Sequence, residues 1–464
     1  MSIEIDEVKH SKINMASYGF GKYLVEFLNM AFGTYAYFFY ESEIGLESWI
    51  VGFGFIIFAL WNMFNDPLIG YLTNRPFKFT KKWGRRFPWV IIGGIPYIFC
   101  YLLIFMPPAI NPTEGAWILF AWFVFTTCLF DTFASLYWVN FAAIFPEKFR
   151  SLEERRTGTG LQTVVGILGI AFGAIIPPSL VTFGVPQTYI IQGGAVVIFC
   201  FIGLGLAIPG CREDQVTIDR YLDKHKERKK EESFFKSLKI ALKQKNFLAF
   251  VIAYALYQSL TNLITGSIAF LVRYILQEEA SSQIIPSIGF LLGSLVFIPL
   301  WVKLAHKSND NRKILLIAGI ALTFVTFPLI FVNNIIFAFV GLFVWGLAFG
   351  GFWTLLWPVL ADVIDESIVI TGERKEGIYT GIQAFFGRLA FLNQALVFTI
   401  VHVATGFAEG AETQGPLAVW GIQMHFSIIP MIFMGIAMLI FWKWYDLTPE
   451  KVKINREKLV ELGL

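Results

Sequence analysis

Asn62-Met63-Phe64-Asn65-Asp66-Pro67-Leu68-Ile69-Gly70-Tyr71, followed by Lys82-Trp83-Gly84-Arg85-Arg86-Phe87-Pro88-Trp89, is the stretch that decides the fold. An apolar run carries a carboxylate, Asp66, beside a proline, and then leaves into a loop dense with lysine and arginine. A charge inside an apolar span costs roughly 2.5 kcal/mol or more on insertion scales, so such a residue reads first as functional. The basic loop fixes which side of a membrane this end occupies. Together they predict a polytopic membrane protein that works as a carrier.

Composition agrees. Hydrophobic residues make up 56% of the chain and charged residues 15%, with a mean hydropathy of +0.62; soluble domains carry about 25% charged residues. The net charge of +3 does not indicate a nucleic-acid partner, because the basic residues sit in loops between apolar runs. Cys100, Cys128, Cys200 and Cys211 lie in or beside apolar runs without CxxC spacing, which argues against a disulfide framework or a zinc site. The first 13 residues are polar and the first apolar run is long enough to remain a span, so no cleaved signal peptide is expected.

Apolar runs fall near 18–40, 48–72, 88–107, 116–140, 160–183, 187–209, 246–274, 284–304, 312–332, 334–360, 377–405 and 419–444, with the faintest break at Asn333-Asn334. Each is long enough to cross ~30 Å of hydrocarbon. The fold class expected is therefore an all-α membrane protein with twelve transmembrane helices. The connecting loops alternate in charge. One set holds Arg75 to Arg86, Lys148 to Arg156, the 211–245 segment, Lys303 to Lys313, and Arg374 with Lys375; the other holds Glu41, Glu43, Glu114, Glu278, Glu279, Glu409 and Glu412, with Arg273 as the exception. The positive-inside rule then puts both termini in the cytoplasm, and the location expected for the chain is the plasma membrane.

The loop around Lys224–Glu232 reads as a solvated cytoplasmic linker, with a lipid-headgroup contact as the alternative. It divides the chain into an N-terminal six-helix bundle (1–210), a middle loop (211–245), a C-terminal six-helix bundle (246–445) and a tail (446–464). The loop Gly70…Asn74-Arg75…Trp83-Gly84-Arg85-Arg86 has a degenerate echo in Trp301-Val302-Lys303…His306-Lys307…Asn311-Arg312-Lys313. Two six-span halves built as an internal repeat are the logic of the major facilitator fold.

Four segments carry a resemblance over nearly the whole chain. They are Tyr18-Gly19-Phe20-Gly21 with Glu26; Asn65-Asp66-Pro67-Leu68-Ile69-Gly70 with Trp83-Gly84-Arg85 and Pro88-Trp89; Phe145-Pro146-Glu147 before Glu154-Arg155; and Ala361-Asp362-Val363-Ile364-Asp365-Glu366 with Thr371-Gly372-Glu373-Arg374-Lys375-Glu376-Gly377. The chain resembles the glycoside–pentoside–hexuronide:cation symporters, the branch of the major facilitators that includes melibiose permease. The same signature occurs in relatives that move lysophospholipids, so it speaks to the fold more than to the cargo.

The resemblance implies roles for particular residues. Glu26 matches an acid that accepts hydrogen bonds from sugar hydroxyls, a task suited to an acceptor-only carboxylate; the alternative, less favoured, is a structural partner inside the bundle. Asn29 and Gly33 share its helix face. Trp353 matches an aromatic against which a sugar ring packs, Gln383 a polar position near the substrate, and Arg388 a lysine between the sugar and cation regions. Gln162 stands where the family often has an arginine. Asn62 and Asp66, one turn apart, match two acids that bind the cation, and Trp138 takes the place of a third. With Asp66 the sole survivor of these three, proton coupling is favoured over sodium at Asp66. Asp131, two turns before Trp138, either restores an acidic group or partners Arg388. Arg85, Arg155, Asp362, Asp365 and Arg374 match interdomain ion pairs that close the cytoplasmic side.

The function expected is secondary active sugar or glycoside symport with a proton or sodium ion, by alternating access, in a protein that acts as a monomer in the lipid bilayer. The alternative is a lysolipid or other non-sugar carrier. No phosphate-binding loop, metal cluster or nucleophile–base pair supports an enzyme, and no cofactor is implied beyond the coupling ion.

Overall fold

The computed structural model describes residues 9–73, 77–225, 234–372 and 376–461. Arg75, Arg374 and most of the Lys224–Glu232 charge run fall outside them. The described secondary structure is helical, with no strand among the described residues. Among the described residues, eleven helices are long and apolar enough to cross a membrane. The remaining one, α1 (Lys12–Phe38), holds Lys12, Lys22 and Glu26, which lower its hydropathy. With it, the count is the twelve that the sequence implies.

The chain forms two compact units, Met1–Leu46 with Leu60–Lys230, and Glu47–Ala59 with Glu231–Leu464. The first holds α1, the later part of α2 (Ser48–Thr73), α3 (Phe87–Ile104), α4 (Ala116–Lys148), α5 (Leu152–Leu180) and α6 (Gln187–Cys211). Within it α1 packs along α5 and α6, and α3 along α4 and α6.

The second unit holds α7 (Lys245–Phe270), α8 (Ile284–Ser308), α9 (Asn311–Thr326), α10 (Ile335–Thr371), α11 (Glu376–Gly387), α12 (Leu389–Thr405), α13 (Pro416–Gln423) and α14 (Ile429–Trp444). Here α7 packs on α12 and α14, and α9 on α10 and α14. This is the pairing of the first unit six spans later. The start of α2 belongs to this unit, with Gly52 against Thr399 and Phe58 edge-on to Phe391 at 5.5 Å. The repeat extends to backbone irregularities: α1 ends in a π-helical turn, Phe39–Glu43, and α7 ends in another, Leu271–Leu276.

Helix contacts in lipid rely on close backbone approach, because apolar side chains gain nothing by leaving apolar tails. The heaviest packing in the second unit, α8 on α10, follows that rule. Gly289 and Gly293 face the Phe339 and Phe343 carbonyls, while Gly346 and Gly350 face those of Phe290 and Ser294, so a Cβ at any of the four would strike backbone.

The helices run past the apolar runs where polar residues continue them. α4 reaches Lys148, α5 starts at Leu152 under a Ser151 cap, and α10 reaches Thr371. Asn334 caps α10 by accepting from the Phe337 amide at 2.9 Å, which turns the faintest break into a defined start. The run 377–405 is one candidate span, Gly377–Thr405, with a one-residue break in its helix: α11 ends at Gly387 and α12 begins at Leu389, with the Arg388 amide shared between the Ala384 and Phe385 carbonyls.

Candidate transport site

In the first unit the polar residues of α2 and α4 converge on Asp131, which is 4% exposed. Asn62 Nδ2 donates to Asp131 Oδ1, and Asn65 Nδ2 donates to Asp131 Oδ2 at 3.0 Å and to its backbone carbonyl at 3.1 Å. Both asparagines are buried, at 3% and 2% exposure. An ionised carboxylate only accepts, so each amide presents its NH2 to Asp131 and turns its oxygen away. Asn62 Oδ1 and Asn65 Oδ1 are shielded from solvent and meet no hydrogen-bond donor. Asp66 lies one turn beyond Asn62 on the same helix, with its Oδ1 also shielded. The helices bring Asn62, Asn65 and Asp131 together, and the spacing on α2 keeps Asp66 beside them. No group of three or more His, Cys, Asp or Glu side chains able to hold a metal occurs among the described residues.

Glu26 is part-buried on α1 and pairs with Lys22 one turn earlier, Nζ to Oε1 at 3.8 Å. The Lys22 stem runs against Gly166 of α5. Lys22 is a polar span residue that the sequence reading passed over; a lysine four residues before an acid in an apolar run was the available signal. Asn29 is exposed and Gly33 part-buried. Gln162 is part-buried on α5, its backbone against Gly19 of α1.

In the second unit Trp353 is 37% exposed and ends an aromatic ladder along α10. Trp345 stacks on Phe349 at 5.1 Å, Phe349 stacks on Trp353 at 6.0 Å, and Tyr257 of α7 lies 6.5 Å from Trp353. The ladder has the four-residue spacing of one helix face. Gln383 is buried on α11. Arg388 occupies the break between α11 and α12, beside Gly387, which packs on the Tyr254 ring.

The end of each unit that carries the basic loops is built from charge. In the first, Arg85 pairs with Glu147, Arg86 lies 3.8 Å from the same carboxylate and donates to Asn140 at 3.2 Å, and the Arg85 guanidinium sits 4.2 Å over Tyr221. Glu213 Oε2 accepts the Arg86 and Phe87 amides at 2.7 and 3.0 Å. It reaches them across Gly84, whose φ of 90° and lack of Cβ admit the carboxylate. Burial and the neighbouring Arg85 push Arg86 down to about 10, so it stays cationic at neutral pH. Arg155 donates to the Phe149 and Pro146 carbonyls at 3.0 and 3.3 Å.

In the second unit Asp362 accepts from Asn311 at 2.9 Å and from Arg456 at 3.3 Å. Asn246 bridges Glu366 and Asp446. Asp365 is part-buried, and Arg374 lies outside the described residues.

The family model for MFS/sugar transport proteins matches residues 17–449. A sodium-dependent lysophosphatidylcholine symporter 1-A from Danio rerio is 21% identical, over 86% of this chain and 79% of its own length. An uncharacterized symporter from Bacillus subtilis is 24% identical, over 96% of this chain and 94% of its own. Among solved structures, a D-xylose-proton symporter superposes with a TM-score of 0.62 at 13% identity, covering 94% of this chain and 96% of that one, which is a likeness of fold.

Proposed function

The chain belongs to the MFS/sugar transport family, and on that premise we propose that it is a cation-coupled symporter of a polar organic solute, a sugar or glycoside. The observation that carries the coupling is the Asn62–Asn65–Asp131 cluster beside Asp66. Two buried amide oxygens turned away from their own donors, next to a carboxylate, suit a hard cation that needs several oxygen ligands. A proton needs one titratable group and would leave those oxygens without a task. This reading therefore favours sodium over the proton that the single carboxylate suggested. Asp131 then serves by orienting the two amides.

Glu26, Asn29, Trp353, Gln383 and Arg388 are the proposed substrate contacts, with Lys22 added as the partner of Glu26. Trp353 offers an aromatic face to a sugar ring, while Glu26 accepts from hydroxyls. Arg85, Arg155, Asp362, Asp365 and Arg374 are proposed to break and re-form ion pairs as access alternates. We propose that it works as a monomer in the plasma membrane with both termini in the cytoplasm.

A second reading, a lysolipid as cargo, is favoured by the Lys22–Glu26 pair, whose opposite charges suit a zwitterionic headgroup, and by relatives named as lysophosphatidylcholine symporters. The test is uptake by purified protein in proteoliposomes, with glycosides, pentoses and lysophosphatidylcholine under an imposed sodium or proton gradient. Sodium-driven sugar accumulation that Asp66→Asn abolishes is the expected outcome. Proton-driven accumulation alone would remove the sodium site, movement of lysophosphatidylcholine alone would select the second reading, and no gradient-driven movement would overturn symport.

A further inference from the structure

α7 belongs to the candidate span Lys245–Leu276 of the second unit. Midway along it, Tyr254, Gln258, Thr261, Asn262 and Thr265 recur at helical spacing and so share one face. All five are part-buried. To one side of this face, Tyr257 is buried against Phe352 and Trp353 of α10, with ring centroids 4.5 and 6.5 Å apart. To the other, Ser259 accepts from Asn393 of α12 at 2.8 Å, and Gly266 packs on Gln394. At its start, the Tyr254 ring lies against Gly387, next to Arg388. The polar face thus opens between α10 and α12.

The same span carries a second part-buried strip, of opposite character. Ile252 and Leu256 lie on the far side of α7 and are apolar. That strip suits lipid tails. The polar one does not, because hydrocarbon leaves amides and hydroxyls without partners. Neighbouring helices do not supply them either. Among the described residues, the Gln258, Asn262 and Thr265 side chains make no hydrogen bond, and Thr261 bonds the Gln258 carbonyl of its own helix at 2.8 Å. Two amides left unpaired at the middle of a span mark a face that meets water or solute.

The chemistry of the face selects among solutes. No residue from Tyr254 to Thr265 is charged. Each amide offers donors and an acceptor, and a sugar hydroxyl both donates and accepts, so the two match in either sense. A zwitterionic headgroup finds no opposite charge there. Trp353, beside Tyr257, adds an aromatic surface for the apolar side of a sugar ring.

We propose that Gln258, Thr261, Asn262 and Thr265 are the second unit's specificity-determining contacts, and that they hold the hydroxyls of an uncharged, polyhydroxylated solute. The assignment rests on the sugar-symport reading above and adds α7 to the residues that bind.

The experiment is uptake of a panel of pentoses and methyl glycosides, each with its monodeoxy analogues, into proteoliposomes of the parent, Gln258→Leu and Asn262→Leu. KM should rise about tenfold in each variant, with the maximal rate and the gradient dependence kept. Each variant should also stop discriminating against the analogue that lacks the hydroxyl its amide holds. Unchanged KM and discrimination in both variants would overturn this inference alone, as would a fall in maximal rate at constant KM. A parent that moves no sugar of the panel would overturn the sugar reading and this inference with it. A second readout covers variants that fail to fold. Gln258→Cys and Asn262→Cys should react with a hydrophilic maleimide, and more slowly when the transported sugar is present, while Ile252→Cys and Leu256→Cys should label no more than the parent. Equal labelling on the two sides of α7 would overturn the polar face as a solute surface.

Discussion

The two units share a helix-packing plan and differ in the chemistry they bury. In the first, α2 and α4 are joined by an acid held between two amides, Asp131 with Asn62 and Asn65. In the second, α7, α12 and the turn before α14 are joined by Ser267, His425 and His402. The same contrast recurs at the basic-loop ends. Two buried arginines share Glu147 in the first unit, whereas in the second a buried acid, Asp362 at 5% side-chain exposure, takes an arginine that is 63% exposed. The repeat is thus kept by close-packing residues and backbone turns, while the buried polar residues differ between the units.

The largest effect should come from breaking the acid cluster on one side only. Asp131→Ala removes the carboxylate acceptor of the buried Asn62 amide and leaves Asn65 only the backbone carbonyl of residue 131, at about 1–3 kcal/mol for each bond lost. A marked fall in thermal midpoint in detergent is expected. Replacing His402 and His425 together by phenylalanine removes both partners at once, leaves Ser267 bonded to Leu263, and should change stability far less. Equal losses in the two units would break the contrast.

Next is the packing shared by both units. Gly293→Ile drives a side chain into the Phe343 carbonyl and should cost about 1–3 kcal/mol or more by overpacking. Gly194→Ala on α6 meets open space within 4 Å and should shift the thermal midpoint little. A tolerant Gly293 would mean that α8 and α10 do not depend on close approach.

The smallest effect is one of sign. Burial holds Glu213 above the ordinary glutamate value of 4.5, with the Phe87 and Arg86 amides opposing the shift. Above 4.5, and up to its raised value, the folded state keeps a proton that the unfolded chain has lost, so its contribution falls as pH rises. Burial also raises Asp446, but hydrogen bonds from Lys451 and Asn246 outweigh it and hold the group below 3.8. Its contribution is present above 3.8 and is lost as pH falls through the lowered value. Thermal midpoints measured from about pH 7 to about pH 3 should show Glu213→Gln gaining on the parent at neutral pH and Asp446→Asn losing there. Slopes of the same sign would contradict the assignment.

The spans were legible because crossing a bilayer imposes a length of apolar sequence that any window detects. The expected run 48–72 is the helix Ser48–Thr73, and 187–209 is Gln187–Cys211. Hydropathy was blind where helices leave the lipid, as in α10 beyond residue 360, and at the break beside Arg388, where the residues on both sides remain apolar. Lys22 and the two histidines were present in the sequence as single polar residues in apolar runs, but nothing local named their partners.

The sequence by itself determined the class of the protein, its spans and the list of polar residues that lipid would not tolerate unpartnered, because those follow from composition along the chain. Tertiary structure decided which of them meet: Asp131 with asparagines 66 and 69 positions away, and His402 with His425. Those pairings depend on how each helix is rotated about its axis. Close backbone contacts such as Gly93 of α3 on the Tyr137 amide of α4 constrain that rotation, which no property of the helix alone decides.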